Sequence, residues 1–510
     1  MKLKKRNPRK MSKSEGSENI DRILVQRYSS DFGIPSELAQ IVAQRFPEYE
    51  SAKAFLFPDL KHLHDPSTIP DIEVAVSKII QSLNRKEKIL IYCHDDPDGY
   101  TSAVILYKTL KDLSRTRNNT IFVYPIIREK DGYILNPEVL REYKQRGVTF
   151  VITVDFGISS EENFRIAKNE GFDLVVCDHH EIHTADFSAP AVNPKRPDSK
   201  YPFRELAGCG VTFKLAQLLY QKVFNLTPVE FYNLKKDFFP LVMIGTISDR
   251  VLLLGENRVL CFYGLQMFNH LDDPWIKYFR NMPDSYVERV IGDIIQVVGS
   301  AAYVDPRLAV EVMLSSDEQY VAEIIEKLKT ANNERRQAII LLYREAIAAA
   351  KIFPNLVISV ISFSRQHHLG SVSARLRDRY KKTSMVIGIK NSRCFGELRS
   401  SDINLYKMLY HFRNLFLDFG GHYRAAGFTM LEDNLDRLVD GAVKYISEYI
   451  EKSPNEYAKA DKIPTTFLNR SRVDILMPLL PFGEGNPAPV LTDGVTTYTI
   501  NNQFHIIEKG

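Results

Sequence analysis

Residues Lys88 to Thr101 read KILIYCHDDPDGYT. Ile89 to Cys93 form a short apolar run rich in β-branched residues, the pattern of a buried strand, and the run breaks at His94-Asp95-Asp96-Pro97-Asp98-Gly99. Four ionisable side chains thus crowd into five positions at the carboxyl end of a strand. Helical spacing from Thr101 to Leu110, with a Thr/Ser start, predicts a helix and places the motif in a strand-to-helix turn. Open α/β sheets hold their ligands in such turns. Three neighbouring carboxylates repel one another as anions and are costly to bury unpaired, and a bound divalent cation relieves both problems. Taken alone, the stretch is either a cation site or a solvated acidic turn.

The following sequence repeats the arrangement. Further strands are expected at Ile121–Ile127, at Thr149–Val154 ending on Asp155-Phe156-Gly157, and at Leu174–Cys177 ending on Asp178-His179-His180, with helices between. Alternating strands and helices with nearly continuous apolar strands predict a doubly wound parallel sheet covered on both faces. Positions 94, 155 and 179 would then converge at one sheet edge. A lone Asp after a strand is usually a cap or turn residue, whereas three such ends carrying Asp and His favour a cation site. Carboxylate oxygens mixed with imidazole suit Mn²⁺ or Mg²⁺. A fourth contributor, Asp249, closes the apolar segment Pro240–Ser248.

A chain of 510 residues is too long for one ordinary core, so two to four domains are expected. The 44% hydrophobic and 25% charged content fits a globular protein, and a net charge of +4 permits nucleic-acid binding without requiring it. Five scattered cysteines form no CxxC pair, which speaks against structural zinc or a disulfide framework and for a reducing compartment. Seven Lys or Arg in the first thirteen positions have no apolar stretch behind them, so a disordered basic tail over 1–20 is expected rather than a secretory signal. No apolar run is long enough to span a bilayer, so no membrane partner is expected and a cytoplasmic location is. A Pro-punctuated helical lead-in (21–75) precedes the first α/β domain (76–310), and a connecting helical segment (311–352) precedes a second, smaller α/β domain (353–455). Arg335-Arg336 on that connection belong either to a solvated face or to a basic channel. In the second domain, His367-His368 form a polar turn or touch a base, and Gly420-Gly421 permit close backbone approach.

The ordered set His94-x-Asp96-x-Asp98-Gly99, Asp155-x-Gly157, Asp178-His179-His180 and Gly245-Thr246-Ile247-Ser248-Asp249 resembles the DHH phosphoesterase superfamily. The stretches NPKRPDSKYPFRELAGCGVTFKLAQ and LLGENRVL narrow the resemblance to RecJ-like single-stranded-DNA exonucleases. So do Gly370-Ser371-Val372-Ser373-Ala374-Arg375-Leu376, Gly396-Glu397-Leu398-Arg399-Ser400 and Phe419-Gly420-Gly421-His422, which are similar to the DHH-associated domain. Pro481-Phe482-Gly483-Glu484-Gly485-Asn486-Pro487 resembles the lead into an oligonucleotide-binding fold, whose start is expected, truncated, over 456–510.

The resemblance implies that His94, Asp96, Asp98, Asp155, His179 and Asp249 hold one or two Mn²⁺ or Mg²⁺ ions. It gives His180 and Asp178 catalytic roles, with His180 at the scissile phosphate. Arg375, Arg399, Ser400, Gly420, Gly421 and His422 would hold phosphates and the terminal nucleotide from the facing domain. The implied activity is 5′-to-3′ hydrolysis of single-stranded DNA to mononucleotides in repair and recombination, with a helicase or single-strand-binding protein as a partner class. A phosphodiesterase for short oligonucleotides or cyclic dinucleotides is the alternative, and an inactive nucleic-acid scaffold a third. The chain departs from the family pattern at His94, where Asp is usual, and at Arg250, where an apolar residue is usual. Val298–Tyr303 also lacks the usual Asn and Arg, and the chain leaves too few residues after 487 for a five-stranded barrel.

Overall fold

The structure, a computed structural model, describes residues 13–114, 119–132, 134–182, 187–282, 287–362, 368–421, 423–452, 462–464, 470–492, 497–500 and 506–508. His367 and His422 lie outside the described residues. Strands β1 (Lys88–Cys93), β2 (Ile121–Pro125), β3 (Val148–Val154), β4 (Asp173–Cys177) and β5 (Ala191–Val192) form one sheet in the order β2-β1-β3-β4-β5. Every neighbouring pair is parallel. Ile89–Cys93 and Phe150–Val154 are buried throughout because helices cover both faces of the sheet.

The helix after β1 runs Pro97–Leu113 and starts four residues earlier than its sequence pattern predicts. Asp96 is its N-cap and accepts the Gly99 N–H at 3.0 Å, while Pro97 occupies the first turn, where its missing N–H costs nothing. Asp98 therefore belongs to the first helical turn and not to the loop. Against this helix pack Gly208–Phe224 and the helix Phe238–Asp249, which is apolar and buried from Phe238 to Gly245.

The connecting helix, Glu318–Ala348, leads into a second sheet: β6 (Ala350–Ile352), β7 (Leu356–Ser362), β8 (Thr383–Lys390), β9 (Arg393–Arg399), β10 (Phe416–Gly421) and β11 (Ala425–Leu431), ordered β10-β11-β9-β8-β7-β6. Only β7 and β8 are parallel, joined by helix Leu369–Tyr380; the other pairs are antiparallel. Three- and four-residue strands β12 (Lys462–Pro464), β13 (Val490–Thr492), β14 (Thr497–Ile500) and β15 (Ile506–Glu508) make a small third sheet.

The lead-in helices pack against the segment 476–487. A helix spans Lys13–Phe32, so its start falls inside the segment expected to be a tail, and residues 1–12 lie outside the described residues. The lead-in helices pack Tyr28, Leu38, Val42 and Phe55 against Leu476, Leu479 and Leu480. Buried Arg258 donates to carbonyls of Phe55, Pro478 and Leu480, and Arg45 donates to Asn486 Oδ1 at 2.6 Å. The 481–487 turn thus joins the lead-in to the first lobe, and its Glu484 carbonyl accepts the Leu253 N–H at 2.8 Å. Among the described residues no helix is long and apolar enough to cross a membrane.

Candidate active site

The carboxyl ends of β1, β3 and β4 bring the predicted residues together. His179 is fully buried, and its Nε2 lies 3.1 Å from Asp155 Oδ1, 3.6 Å from Asp249 Oδ2 and 3.8 Å from Asp98 Oδ2. His94 Nδ1 lies 2.9 Å from Asp96 Oδ2. Three overlapping groups have ligand atoms within 4.8 Å of one another: Asp155-His179-His180, His94-Asp96-Asp155, and Asp98-His179-Asp249. Asp155 and His179 are each shared by two groups, so the six predicted ligands form one connected set.

Local backbone geometry builds this set. Asp155 adopts a left-handed conformation (φ 57°) immediately after β3, which turns the chain at the sheet edge. Asp98 accepts N–H groups of Gly208 at 2.7 Å and Cys209 at 2.8 Å at the start of the Gly208–Phe224 helix, where the helix dipole favours an anion. Glycine is needed nearby: a Cβ on Gly208 would lie 2.6 Å from Asp155 Oδ1, and one on Gly245 would lie 2.6 Å from Asp98 Oδ1.

The electrostatics call for a cation. Burial, reinforced by Asp98 and Asp96, raises the pKa of both Asp155 and Asp249 well above the ordinary carboxylate range. Burial and Asp96 push Asp98 up to about 6. Lys195, nine-tenths buried in the NPKRPD stretch, partly offsets this at Asp249 while pairing with Glu181 at 3.3 Å. At His94 burial opposes protonation, but Asp96 and Asp95 outweigh it and raise the pKa. This oxygen-rich set with imidazole fits a hard divalent cation, whose charge would cancel the repulsion.

Asp178 has a different place from the one its motif suggests. It is fully buried and accepts N–H groups of His179 (2.7 Å), His180 (3.2 Å) and Ile158 (2.9 Å) together with His180 Nδ1 at 2.7 Å. Burial opposes its ionisation, but His180 and these donors lower its pKa to about 2. Asp178 therefore positions His180, whose ring is partly exposed in the cleft, and its own carboxylate is taken up by these four donors.

The site opens into a cleft of about 1060 Å³ between the lobes, lined by His94, Asp155, His180 and Asp249 on one side and Glu397, Arg399, Phe419, Gly420 and Gly421 on the other. Gly421 has φ 134°, and a Cβ there would lie 2.4 Å from the Ala425 carbonyl oxygen. Two expected nucleic-acid contacts lie elsewhere. Ser400 is buried, with its hydroxyl 2.7 Å from Thr383 Oγ1 and accepting N–H groups of Asp402 and Ile403, so it closes a turn. Arg375 is exposed with its guanidinium 5.9 Å from the Tyr343 ring on the connecting helix, away from the cleft-lining residues. Of the Arg335-Arg336 pair, Arg335 sits 5.2 Å over the Tyr303 ring and Arg336 donates to Gln296. His368 is buried with its ring 5.4 Å from Tyr303.

Several cleft residues were not anticipated. Tyr410 and Arg413 line it, with the Arg413 guanidinium 4.9 Å over the Tyr410 ring, and Phe419 stacks with Tyr406 at 6.2 Å. No motif marks them; their only sequence signal is aromatic enrichment over 406–419.

Residues 88–246 match the DHH family, N-terminal domain, and residues 354–448 match the DHHA1 domain. The chain is 30% identical over 481 residues to the single-stranded-DNA-specific exonuclease RecJ of Bacillus subtilis (strain 168), covering 89% of this chain and 58% of that protein. It is 26% identical to RecJ of Dickeya dadantii (strain 3937), covering 93% and 85%. The crystal structure of RecJ in complex with Mn²⁺ from Thermus thermophilus superposes with a TM-score of 0.74 at 20% identity, over 96% of this chain and 72% of that one. The Mg²⁺ complex of that protein gives 0.66 at 20% identity, over 94% and 69%.

Proposed function

As the chain is a RecJ-like DHH phosphoesterase in sequence and fold, we propose that it is a metal-dependent exonuclease that hydrolyses single-stranded DNA from the 5′ end and releases 5′-mononucleotides. The observation that carries this reading is the connected set of Asp and His residues facing an aromatic and arginine-bearing sheet across one cleft. On this reading His94, Asp96, Asp98, Asp155, His179 and Asp249 hold one or two Mn²⁺ or Mg²⁺ ions. Bound there, such ions acidify water and neutralise phosphate charge.

The chain's own residues supply the rest. His180, fixed at Nδ1 by Asp178, presents its other nitrogen to the scissile phosphate or the leaving oxygen. Arg399 offers charge to the backbone, and Tyr410 and Phe419 offer ring faces to bases. A cleft bounded by two lobes admits one strand more readily than a duplex. DNA repair or recombination, a cytoplasmic location and delivery by a helicase or single-strand-binding protein are consistent with this activity.

The test is digestion of a long 5′-labelled single strand with Mn²⁺, beside the matching duplex, a 3′-labelled strand and a labelled dinucleotide. Immediate release of labelled mononucleotide from the 5′-labelled strand is expected, with the duplex spared, and Asp155→Ala should slow it on the order of a thousandfold. Cleavage of the dinucleotide alone would replace this reading with a short-oligonucleotide phosphodiesterase.

A further inference from the structure

After helix Leu435–Lys452 of the second lobe the chain returns to the first, and there the turn at 481–487 touches three parts of the molecule. Arg45 of the lead-in donates to Asn486 Oδ1 at 2.6 Å and to the Pro487 carbonyl at 2.7 Å. The Glu484 carbonyl accepts the N–H of Leu253, which follows the predicted ligand Asp249 by four residues. The Glu484 carboxylate reaches the second lobe, with Oε1 2.7 Å from Arg424 Nη1. Arg424 lies in the short turn between Gly421 of β10 and Ala425 of β11, both of which line the cleft.

Both ends of this ion pair are held by their own backbones. Asn486 is fully buried and donates to the carbonyls of Leu479 at 2.6 Å and Pro481 at 2.9 Å, which shapes the turn around Glu484. A Cβ on Gly483 would lie 2.5 Å from Leu253 Cδ1, so the turn sits directly on the loop after Asp249. On the other side, the Arg424 carbonyl accepts the Ser400 N–H at 3.0 Å, and Ala425 pairs with Arg399 of β9. Arg250, which caps the helix carrying Asp249, lies within electrostatic reach of Glu484 and of Arg377, Asp378 and Arg399 on the second lobe, so the same three parts converge around it. The Arg424 and Glu484 side chains are 34% and 26% exposed. A pair this exposed is individually weak, which suits a contact that yields when a strand enters, and fixed backbones lower the entropy lost when it forms again.

We propose that Arg424 and Glu484 form a latch between the lobes that fixes the β10–β11 turn relative to the Asp249 edge of the site, and that they act as positioning residues for the strand. For its substrate class the proposal rests on the exonuclease reading above. The test is a double-mutant cycle of Glu484→Gln and Arg424→Gln, near-neutral changes in size that leave the Leu253 and Ser400 backbone bonds in place. Each single variant should raise KM for a long single strand roughly threefold with kcat nearly unchanged, and the double variant should be no worse than either. If Arg424 instead gripped phosphate directly, Glu484→Gln would free it and lower KM, and that result would overturn the latch, as would additive losses or a fall confined to kcat. The second readout needs no turnover. The five native cysteines are buried, so spin labels on Asn169→Cys of the first lobe and Asp440→Cys of the second, both exposed, report the distance between lobes in Mg²⁺ without DNA. That distance distribution should broaden in Glu484→Gln and in Arg424→Gln, and an unchanged distribution in either would overturn the proposal. Broadening in a chain that cleaves no single strand would defeat the exonuclease reading and leave the latch standing.

Discussion

The carboxyl edge of β1–β5 and the face of β9–β11 confront each other across one cleft, and they gather their side chains in different ways. In the parallel sheet, strand ends that are far apart in sequence fall at one edge, so His94, Asp155, His179 and their neighbours collect where the backbone turns. They are buried, close and mutually repulsive. In the antiparallel part of the second sheet, alternate residues share a face, so Phe395, Glu397 and Arg399 stand opposite Thr429, Gly427 and Ala425. These residues are half-buried and charge-matched. On the proposed reading, the first surface suits chemistry that needs a cation and the second suits gripping a strand.

The sharpest way to separate the two surfaces is to perturb one residue that supports chemistry without touching substrate. Asp178→Asn keeps the shape of the side chain but weakens the acceptor that orients His180. Turnover should fall roughly 10- to 100-fold, with KM for a long single strand nearly unchanged. A loss confined to KM would place Asp178 with the gripping surface and break the distinction.

The gripping surface should answer in the opposite sense. Tyr410 is 49% exposed in the cleft and carries Arg413 over its ring, so Tyr410→Ala should raise KM for a long strand roughly tenfold through lost base stacking. Turnover of a bound strand, and KM for a dinucleotide too short to reach it, should change little. Equal effects on both substrates would mean that Tyr410 acts on the fold and not on the strand.

The same difference explains what could be read from the sequence. The parallel sheet and its loaded strand ends were legible because β1, β3 and β4 are each a nearly continuous apolar run that stops on Asp or His, and parallel topology dictates where such ends go. The start of the Pro97–Leu113 helix was misplaced because Asp96 and Pro97, taken for turn residues, are its cap and first turn. On the facing lobe, the motif Gly396–Ser400 marked a functional strand without saying which residues look into the cleft. Alternation decides that: Arg399 faces it, and Ser400, the next residue along, turns inward to Thr383. Arg375 went astray because a helix presents its residues around a cylinder, and the connecting helix takes that side. Contacts between lobes, such as Tyr303 on His368, join residues with no local signature at all.

The smallest predicted effect concerns stability, and it tests whether the buried carboxylates are as frustrated as their geometry implies. Asp98 has a folded pKa of about 6 against an ordinary value of 3.8, and Asp155 and Asp249 are raised in the same direction. Between those values the folded chain binds more protons than the unfolded one, so stability is highest at the acidic end of the window and falls as pH rises through it. His94, raised above 6.5, extends the decline further. Asp178 and Asp96 act in the opposite sense, but their pKa values are depressed, so their contribution is lost only below about pH 4. The metal-free protein should therefore lose on the order of 5 °C in Tm between about pH 4.5 and 6.5. Saturating Mn²⁺ should reverse the slope, because the carboxylates must shed their protons to bind it and the ion then cancels their repulsion. Thermal scans across this window with and without Mn²⁺ measure both slopes. A metal-free Tm that rises with pH would show that the edge of the parallel sheet carries no stored repulsion, and its contrast with the charge-matched face opposite would disappear.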